Sequence, residues 1–275
     1  MPIALLPDRG VLELAGPDRV AFLQGLVSND VATIPEGQAA WAALLTPQGK
    51  WLADFFVIPS GEVLLVDAER AQAGALVQRL SRFRLRSKVT LRDASDEWHV
   101  HAAWGAAPPA ATGLVVPDPR LEGAGWRVLA AAPLATDATE ADYDRHRLAL
   151  GLPDGSRDME GEKSVLLEGG FDELNGVSWS KGCYMGQELT ARTRYRGLLK
   201  RRLVPVDVDG AMPARGTALT DAKGAEIGEM RSGRDGQGIA LLRIDALDRA
   251  PFRGGEAVVT PRIPGWMRLP AREEA

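Results

Sequence analysis

Apolar and polar positions fall into three regimes along the chain. Up to about residue 104, strand and helix patterns alternate. Residues 11–14 form a short apolar strand, broken by Gly16-Pro17-Asp18; proline at an early helical position lacks only an N–H that would be unpaired anyway. Val20, Phe22, Leu23, Leu26 and Val27 then recur at helical spacing, and that helix ends near Ser28-Asn29-Asp30. Residues 40–46 alternate with period two, placing Trp41, Ala43 and Leu45 on one face. Pro47-Gln48-Gly49-Lys50 reads as a turn, and residues 51–58 return as a second strand. Residues 63–66 make a third strand, residues 68–80 a helix with Ala73, Leu76, Val77 and Leu80 on one face, and residues 88–91 and 98–104 further strands. Such an order is a mixed α/β unit.

The second regime is rich in proline, glycine and alanine over residues 105–125, the composition of a long loop or a crossover between domains. Residues 126–131 read as a strand and 142–150 as a helix stopped by Gly151-Leu152-Pro153. Residues 154–164 are polar and glycine-rich and are expected to be a mobile surface loop; the pattern is not a P-loop, because Glu162 breaks the required Gly-Lys adjacency. In the third regime, beyond residue 200, short alternating strands (202–208, 217–219, 225–231, 239–244, 257–264) are separated by turn signals such as Asp209-Gly210 and Asp235-Gly236. That rhythm predicts a small antiparallel barrel.

With 275 residues, 45% hydrophobic and 25% charged, the chain is expected to hold two or three domains of a globular protein. No apolar run approaches the roughly 20 residues of a membrane helix, and the start lacks the basic segment of a signal peptide. A single cysteine excludes an intramolecular disulfide and suits a reducing compartment; together these features predict a cytoplasmic protein. The net charge of −4 gives no global attraction to nucleic acid or to an anionic membrane, and no membrane partner is expected. The charge is unevenly spread, however. Residues 181–202 carry seven basic residues against one acid, Glu188, a patch able to hold a polyanion or simply to be a solvated helix face. A second basic cluster, Arg79, Arg82, Arg84, Arg86 and Lys88, follows the helix of residues 68–80, where cations complement the helix dipole.

The candidate chemistry centres on Cys183. It lies between Gly182 and Gly186, two residues after Lys181, and a helix-forming run starts at Gln187. Flanking glycines allow a tight turn that leaves the sulfur accessible, and helix-start N–H groups plus an ammonium favour a thiolate. Cys183 and Lys181 are therefore the expected reactive pair. His99 and His101 alternate on one strand, but His146 is remote and no second cysteine exists, so a classical zinc site is not expected.

Lys181-Gly182-Cys183-Tyr184-Met185-Gly186-Gln187-Glu188 resembles the K-G-C-[YF]-x-G-Q-E signature of the YgfZ family, folate-binding proteins implicated in iron–sulfur cluster assembly or repair and sometimes labelled tRNA-modifying. Residues 22–31 and 46–55 resemble two further segments of that family, so the likeness spans most of the chain. The family is related to the aminomethyltransferase (T-protein) of the glycine cleavage system. The resemblance implies an α+β, T-protein-like (GcvT-like) fold of three parts: two α/β modules plus a C-terminal antiparallel β-barrel around a central cavity. The implied division is residues 1–35 with 105–199, residues 36–104, and a barrel over 200–275. It also implies tetrahydrofolate or a derivative in the cavity beside Cys183 and Lys181, no permanently bound metal, and iron–sulfur client proteins or assembly machinery as partners. Gly182, Tyr184, Gly186, Gln187 and Glu188 would support the motif, and Tyr184, Arg147, Arg194 and Asn29 would contact folate. Two departures stand against plain aminomethyl transfer. The helix of residues 68–80 lacks the T-protein's Asp, and Ala149 stands where the T-protein's pterin-binding Glu would be. Three functions follow from this reading: an iron–sulfur assembly or repair factor, a folate-dependent one-carbon transferase, and an RNA-binding or tRNA-modification accessory protein.

Overall fold

The computed structural model describes residues 1–109 and 112–269. The first half runs β1 (Ile3–Leu5), β2 (Arg9–Ala15), α1 (Arg19–Gln24), β3 (Ala40–Leu45), β4 (Trp51–Ser60), β5 (Val63–Glu69), α2 (Ala73–Ser81), β6 (Thr90–Asp93) and β7 (His99–Ala103). The second continues with β8 (Leu114–Pro117), β9 (Trp126–Ala130), α3 (Glu140–Leu150), α4 (Gly155–Asp158) and α5 (Gln187–Tyr195). The strands β10 (Arg201–Asp209), β11 (Ala218–Thr220), β12 (Glu226–Arg234), β13 (Gln237–Arg243), β14 (Phe252–Gly254) and β15 (Ala257–Pro261) follow.

These elements form three parts: a five-stranded antiparallel sheet ordered β3-β4-β5-β2-β6, a four-stranded antiparallel sheet ordered β1-β7-β9-β8, and a closed barrel β10-β13-β12-β11-β14-β15. The α+β expectation with a C-terminal barrel describes this architecture; residues 270–275 of the expected barrel span lie outside the described residues. Strand pairing runs across the expected module limits. β2 joins the sheet of residues 40–93, and β7 pairs with β1 and β9 in the other sheet.

β3 shows how the core is divided. Trp41, Ala43 and Leu45 face a core shared with the four-stranded sheet and the barrel residues Leu203, Ile239 and Leu241. Ala42 and Leu44 face a second core closed by Leu23 of α1 and Leu76 and Leu80 of α2. The five-stranded sheet is thus covered on both faces. Trp41 stacks on Phe171 at 3.9 Å between ring centroids, a contact worth about 1 kcal/mol beyond burial.

Three local expectations are corrected. The helix expected over residues 68–80 begins late, because Ala68 and Glu69 pair with Gly10 and Arg9 of β2; sheet pairing outweighs the alanine-rich propensity until a single turn at Arg70–Gln72 leads into α2. The loop of residues 105–125 holds β8, whose apolar Leu-Val-Val core sits between Gly113 and Pro117. Residues 154–164 reach the surface at Gly161, Glu162 and Lys163 but are otherwise packed against the fold. Asp158, Met159 and Ser164 are buried, and the backbone of Trp51 donates to Ser164 and accepts from Glu162. The expected stop holds, with Gly151 ending α3 at φ 77°, while the start lies two residues earlier than expected, fixed by a capping box between Thr139 and Asp142.

Candidate functional site

The segment around Cys183 is a loop whose polar groups are nearly all taken up in holding it. Lys181 Nζ donates to three backbone carbonyls, Gln24 O (2.7 Å), Val27 O (2.8 Å) and Asn29 O (2.6 Å), at the end of α1. An ammonium has three N–H bonds, so none is left for a thiolate. Burial pushes Lys181 down to about 8, opposed by the charge of Asp30. Its Nζ also lies 5.3 Å from the centre of the Tyr184 ring. Tyr184 is buried; burial pushes its phenol up to about 12, against the lowering influence of the nearby Thr190 hydroxyl. Gln187 Oε1 accepts the Tyr184 N–H at 3.2 Å, and Glu188 lies exposed in the first turn of α5, where a negative charge suits the helix dipole.

Gly186 takes φ 80°, and a Cβ there would come within 2.5 Å of Thr46 O. Only glycine lets the motif close on the turn between β3 and β4. Gly182, by contrast, has open space around it. In the middle of this fastened segment Cys183 is exposed. The expected pairing of Lys181 with the thiol is therefore replaced by a different division of labour: Lys181 anchors the loop, and the loop presents the sulfur.

A shallow groove beside this loop is lined by Asn29, Ala39, Ala40, Pro119, Asn175, Val177, Ser178, Trp179 and Ser180. Asn29 is a tether within it, its Nδ2 donating to Trp41 O and Asn175 O. On the other side, Arg194 packs 4.1 Å over Trp179 and lies 3.4 Å from Asp172.

The central cavity is a separate place, with a volume of about 600 Å³. Every part of the fold lines it: Arg9, Asp54, Phe56 and Glu69 from the five-stranded sheet, Arg127 from β9, Tyr143 and Asp144 from α3, Asp154 and Arg157 around α4, and Arg234 from the barrel. Three guanidiniums surround the buried Phe56 ring, with Arg127, Arg120 and Arg9 at 4.7, 5.1 and 5.9 Å from its centre. Each has a buried carboxylate partner. Asp67, fully buried, accepts from Arg9 (2.7 Å) and Arg127 (2.6 Å), and Asp118 holds Arg120 at 2.7 Å. Asp54 accepts both indole N–H groups of Trp41 and Trp51; burial pushes its carboxyl up to about 6, opposed by the Trp41 bond and by Arg9. Burial would also raise Asp154, but Arg147 and Arg157 hold it below the usual carboxylate range.

None of Cys183, Lys181, Tyr184, Arg147, Arg194 or Asn29 lines this cavity. Arg147 is buried and ties α3 to its surroundings through Asp144, Asp158 and Ser232. Ala149 presents its carbonyl to Arg262. His101 is a core residue whose Nε2 accepts the Leu134 N–H. The cavity residues Arg9, Asp54, Arg127 and Asp154 were missed in the sequence because they come from four separated segments. The one available signal was charge inside apolar strands, as in Ala53-Asp54-Phe55 and Trp126-Arg127-Val128.

Comparison with known proteins bears on the fold and the family. Residues 200–269 match the family model described as the CAF17 C-terminal β-barrel domain. The chain is 34% identical to the protein named iron–sulfur cluster assembly factor IBA57 homolog, mitochondrial, of Mycosarcoma maydis, covering 90% of this chain and 75% of the relative. It is 32% identical to the mitochondrial IBA57 of Mus musculus (97% and 86% covered) and 32% identical to that of Homo sapiens (95% and 84%). Among solved structures, the glycine cleavage system aminomethyltransferase T from Bartonella henselae superposes with a TM-score of 0.76 at 17% identity, over 96% of this chain and 85% of that one. That likeness speaks for the GcvT-like fold alone. The mitochondrial relatives overturn the expectation of a cytoplasmic protein.

Proposed function

This chain belongs to the family of the iron–sulfur cluster assembly factor IBA57, and on that premise we propose that it assists the assembly or repair of iron–sulfur clusters in client proteins, using the Cys183 thiol. The observation that carries the role of the thiol is the contrast within residues 181–188. Lys181, Tyr184, Gly186 and Gln187 are engaged in holding the segment, whereas Cys183 is exposed on it. A rigid loop that displays a soft ligand suits brief contact with iron. Clusters commonly take about four cysteine ligands, so one thiolate handles the cluster only in transit, with the other ligands supplied by the assembly machinery or the client. The K-G-C-Y-M-G-Q-E segment supports placing the chain, with its IBA57 relatives, in the wider YgfZ family, and effects on tRNA modification would then arise through cluster-containing modifying enzymes.

Tetrahydrofolate is the proposed occupant of the central cavity, and the residues present fit it in kind. A pterin needs a carboxylate for its N–H pair, and with Ala149 unable to serve, Asp154 supplies one, its Oδ1 having no partner among the described residues. Phe56 and Tyr143 offer aromatic walls, while Arg70, whose only acidic partner among the described residues is the exposed Asp96, offers a cation for a glutamate tail. Folate would supply one-carbon or reducing chemistry when bound; this chain's residues bind and orient it. Quenching of tryptophan fluorescence on titration with tetrahydrofolate tests the occupant, since Trp41 and Trp51 both bond to Asp54 of the cavity wall.

The function is tested by complementation. Cys183→Ala, at matched expression in cells lacking their own copy, is expected to leave an iron–sulfur enzyme near its deficient level while the wild type restores it. Full restoration by the variant would overturn the role of the thiol.

A further inference from the structure

The second basic cluster is not absorbed by this function. Residues 79–88 read Arg-Leu-Ser-Arg-Phe-Arg-Leu-Arg-Ser-Lys, five cations and no acid. They form the tip that joins α2 to β6, and the tip displays apolar side chains to solvent: Leu85 is 90% exposed and Phe83 39%. Leu85 also sits at φ 42°, a left-handed conformation that costs a branched-chain residue energy. The tip is nonetheless built rather than loose. Phe83 N–H bonds to Leu80 O, and Ser87 N–H closes a turn on Arg84 O at 2.7 Å. Its base is pinned to the corner between β2 and α1, where Asp18 accepts the Lys88 N–H at 2.6 Å and Gly16, at φ 106°, lets the Lys88 carbonyl approach more closely than a side chain would permit. The side chains of Arg82, Arg84, Arg86 and Lys88 have no ion-pair partner among the described residues.

We propose that this tip docks the protein on an anionic lipid bilayer, Leu85 and Phe83 entering the headgroup boundary while Arg82, Arg84, Arg86 and Lys88 meet the lipid phosphates. Alternation of cations with protruding apolar side chains is the composition of an interfacial anchor, where buried apolar area and attraction to anionic lipid add. The net charge of −4 hides it, because the cations are concentrated at one corner. A nucleic acid is the weaker match: the most exposed apolar group is an aliphatic leucine, and the single ring of the tip, Phe83, is only 39% exposed, a poor platform for successive stacked bases. The placement also leaves the thiol free. β6 is the edge strand opposite β3, and Thr90 pairs with Ala15 at the end of the sheet away from the Thr46–Lys50 turn that seats α5. The tip and the start of α5 thus occupy diagonally opposite corners, about 19 Å apart across the strands alone.

Cosedimentation of the full chain with vesicles tests this. Binding is expected to vesicles holding about 30 mol % phosphatidylglycerol and not to neutral phosphatidylcholine, and to weaken as salt is raised. Leu85→Ser and Phe83→Ser, both at exposed positions, are each expected to lower binding roughly tenfold with an unchanged thermal melt. Equal binding to neutral vesicles, or no binding to anionic ones, would overturn the proposal. So would full retention in Leu85→Ser, which would reduce the effect to charge adsorption. Loss of binding in Arg192→Glu/Arg196→Glu with none in the tip variants would assign it to α5 instead, and binding of a single-stranded RNA without vesicle binding would make the tip a nucleic-acid site.

Discussion

Gly49 and Gly186 meet backbone to backbone: a Cβ on Gly49 would lie 2.7 Å from Gly186 O, and one on Gly186 would lie 3.0 Å from Gly49 Cα. Both residues have φ 80°. The turn between β3 and β4 and the start of α5, distant in sequence, are therefore seated on each other through two positions that tolerate no side chain.

Gly186→Ala is accordingly expected to lower stability by about 2–4 kcal/mol, combining a disallowed conformation with overpacking against Thr46 O. Gly182→Ala, with open space around it, should cost less than about 1 kcal/mol. Urea denaturation of the two variants checks the contrast. The Cys183 alkylation rate should change only in the first.

Lys181→Met removes the donor shared by three carbonyls while keeping the aliphatic stem. The loss of three hydrogen bonds from a half-buried group is expected to cost about 2–4 kcal/mol and to loosen the loop that carries Cys183. Thermal melting and hydrogen exchange at residues 24–29 and 181–185 measure both effects. An unchanged melt would show that the bonds contribute nothing net.

Asp54 predicts a pH dependence. Its folded carboxyl, pushed up to about 6 from an ordinary value near 3.8, holds its proton more tightly folded than unfolded. Stability from this group is therefore full below the unfolded value and declines as pH rises from about 4 through about 6, by up to roughly 3 kcal/mol. Asp54→Asn is expected to abolish that slope while lowering stability throughout, because its NH₂ group faces one of the two indole N–H groups. Denaturation series at pH 4, 5, 6 and 7 report the slope directly.

The architecture was legible where period and punctuation agreed. The alternation of Trp41, Ala43 and Leu45, the Gly151 stop and the strand rhythm after residue 200 each matched an element. Short strands were not legible: β1, β8 and β14 have three or four residues, too few for a period, and exist through pairing with distant partners. Local composition also misled at residues 154–164, where the Glu162 N–H and the Ser164 carbonyl bond to the backbone of Trp51 in β4. In the site, the exposed position of Cys183 was readable from its neighbours. The task of Lys181 was not, because its acceptors are carbonyls more than 150 residues earlier, and a carbonyl leaves no trace in the residue alphabet.

Asp67 carries a consequence beyond the cavity it underlies. Its two oxygens are divided between Arg9, a strand neighbour in its own sheet, and Arg127, from the four-stranded sheet. Any parting of the two sheets would leave the Arg127 guanidinium and one oxygen of a fully buried carboxylate without each other, a steeper penalty than losing apolar contact alone. The seam between the sheets is thus held by a shared charge as well as by apolar packing, and Asp67 is the carboxylate that both sides depend on.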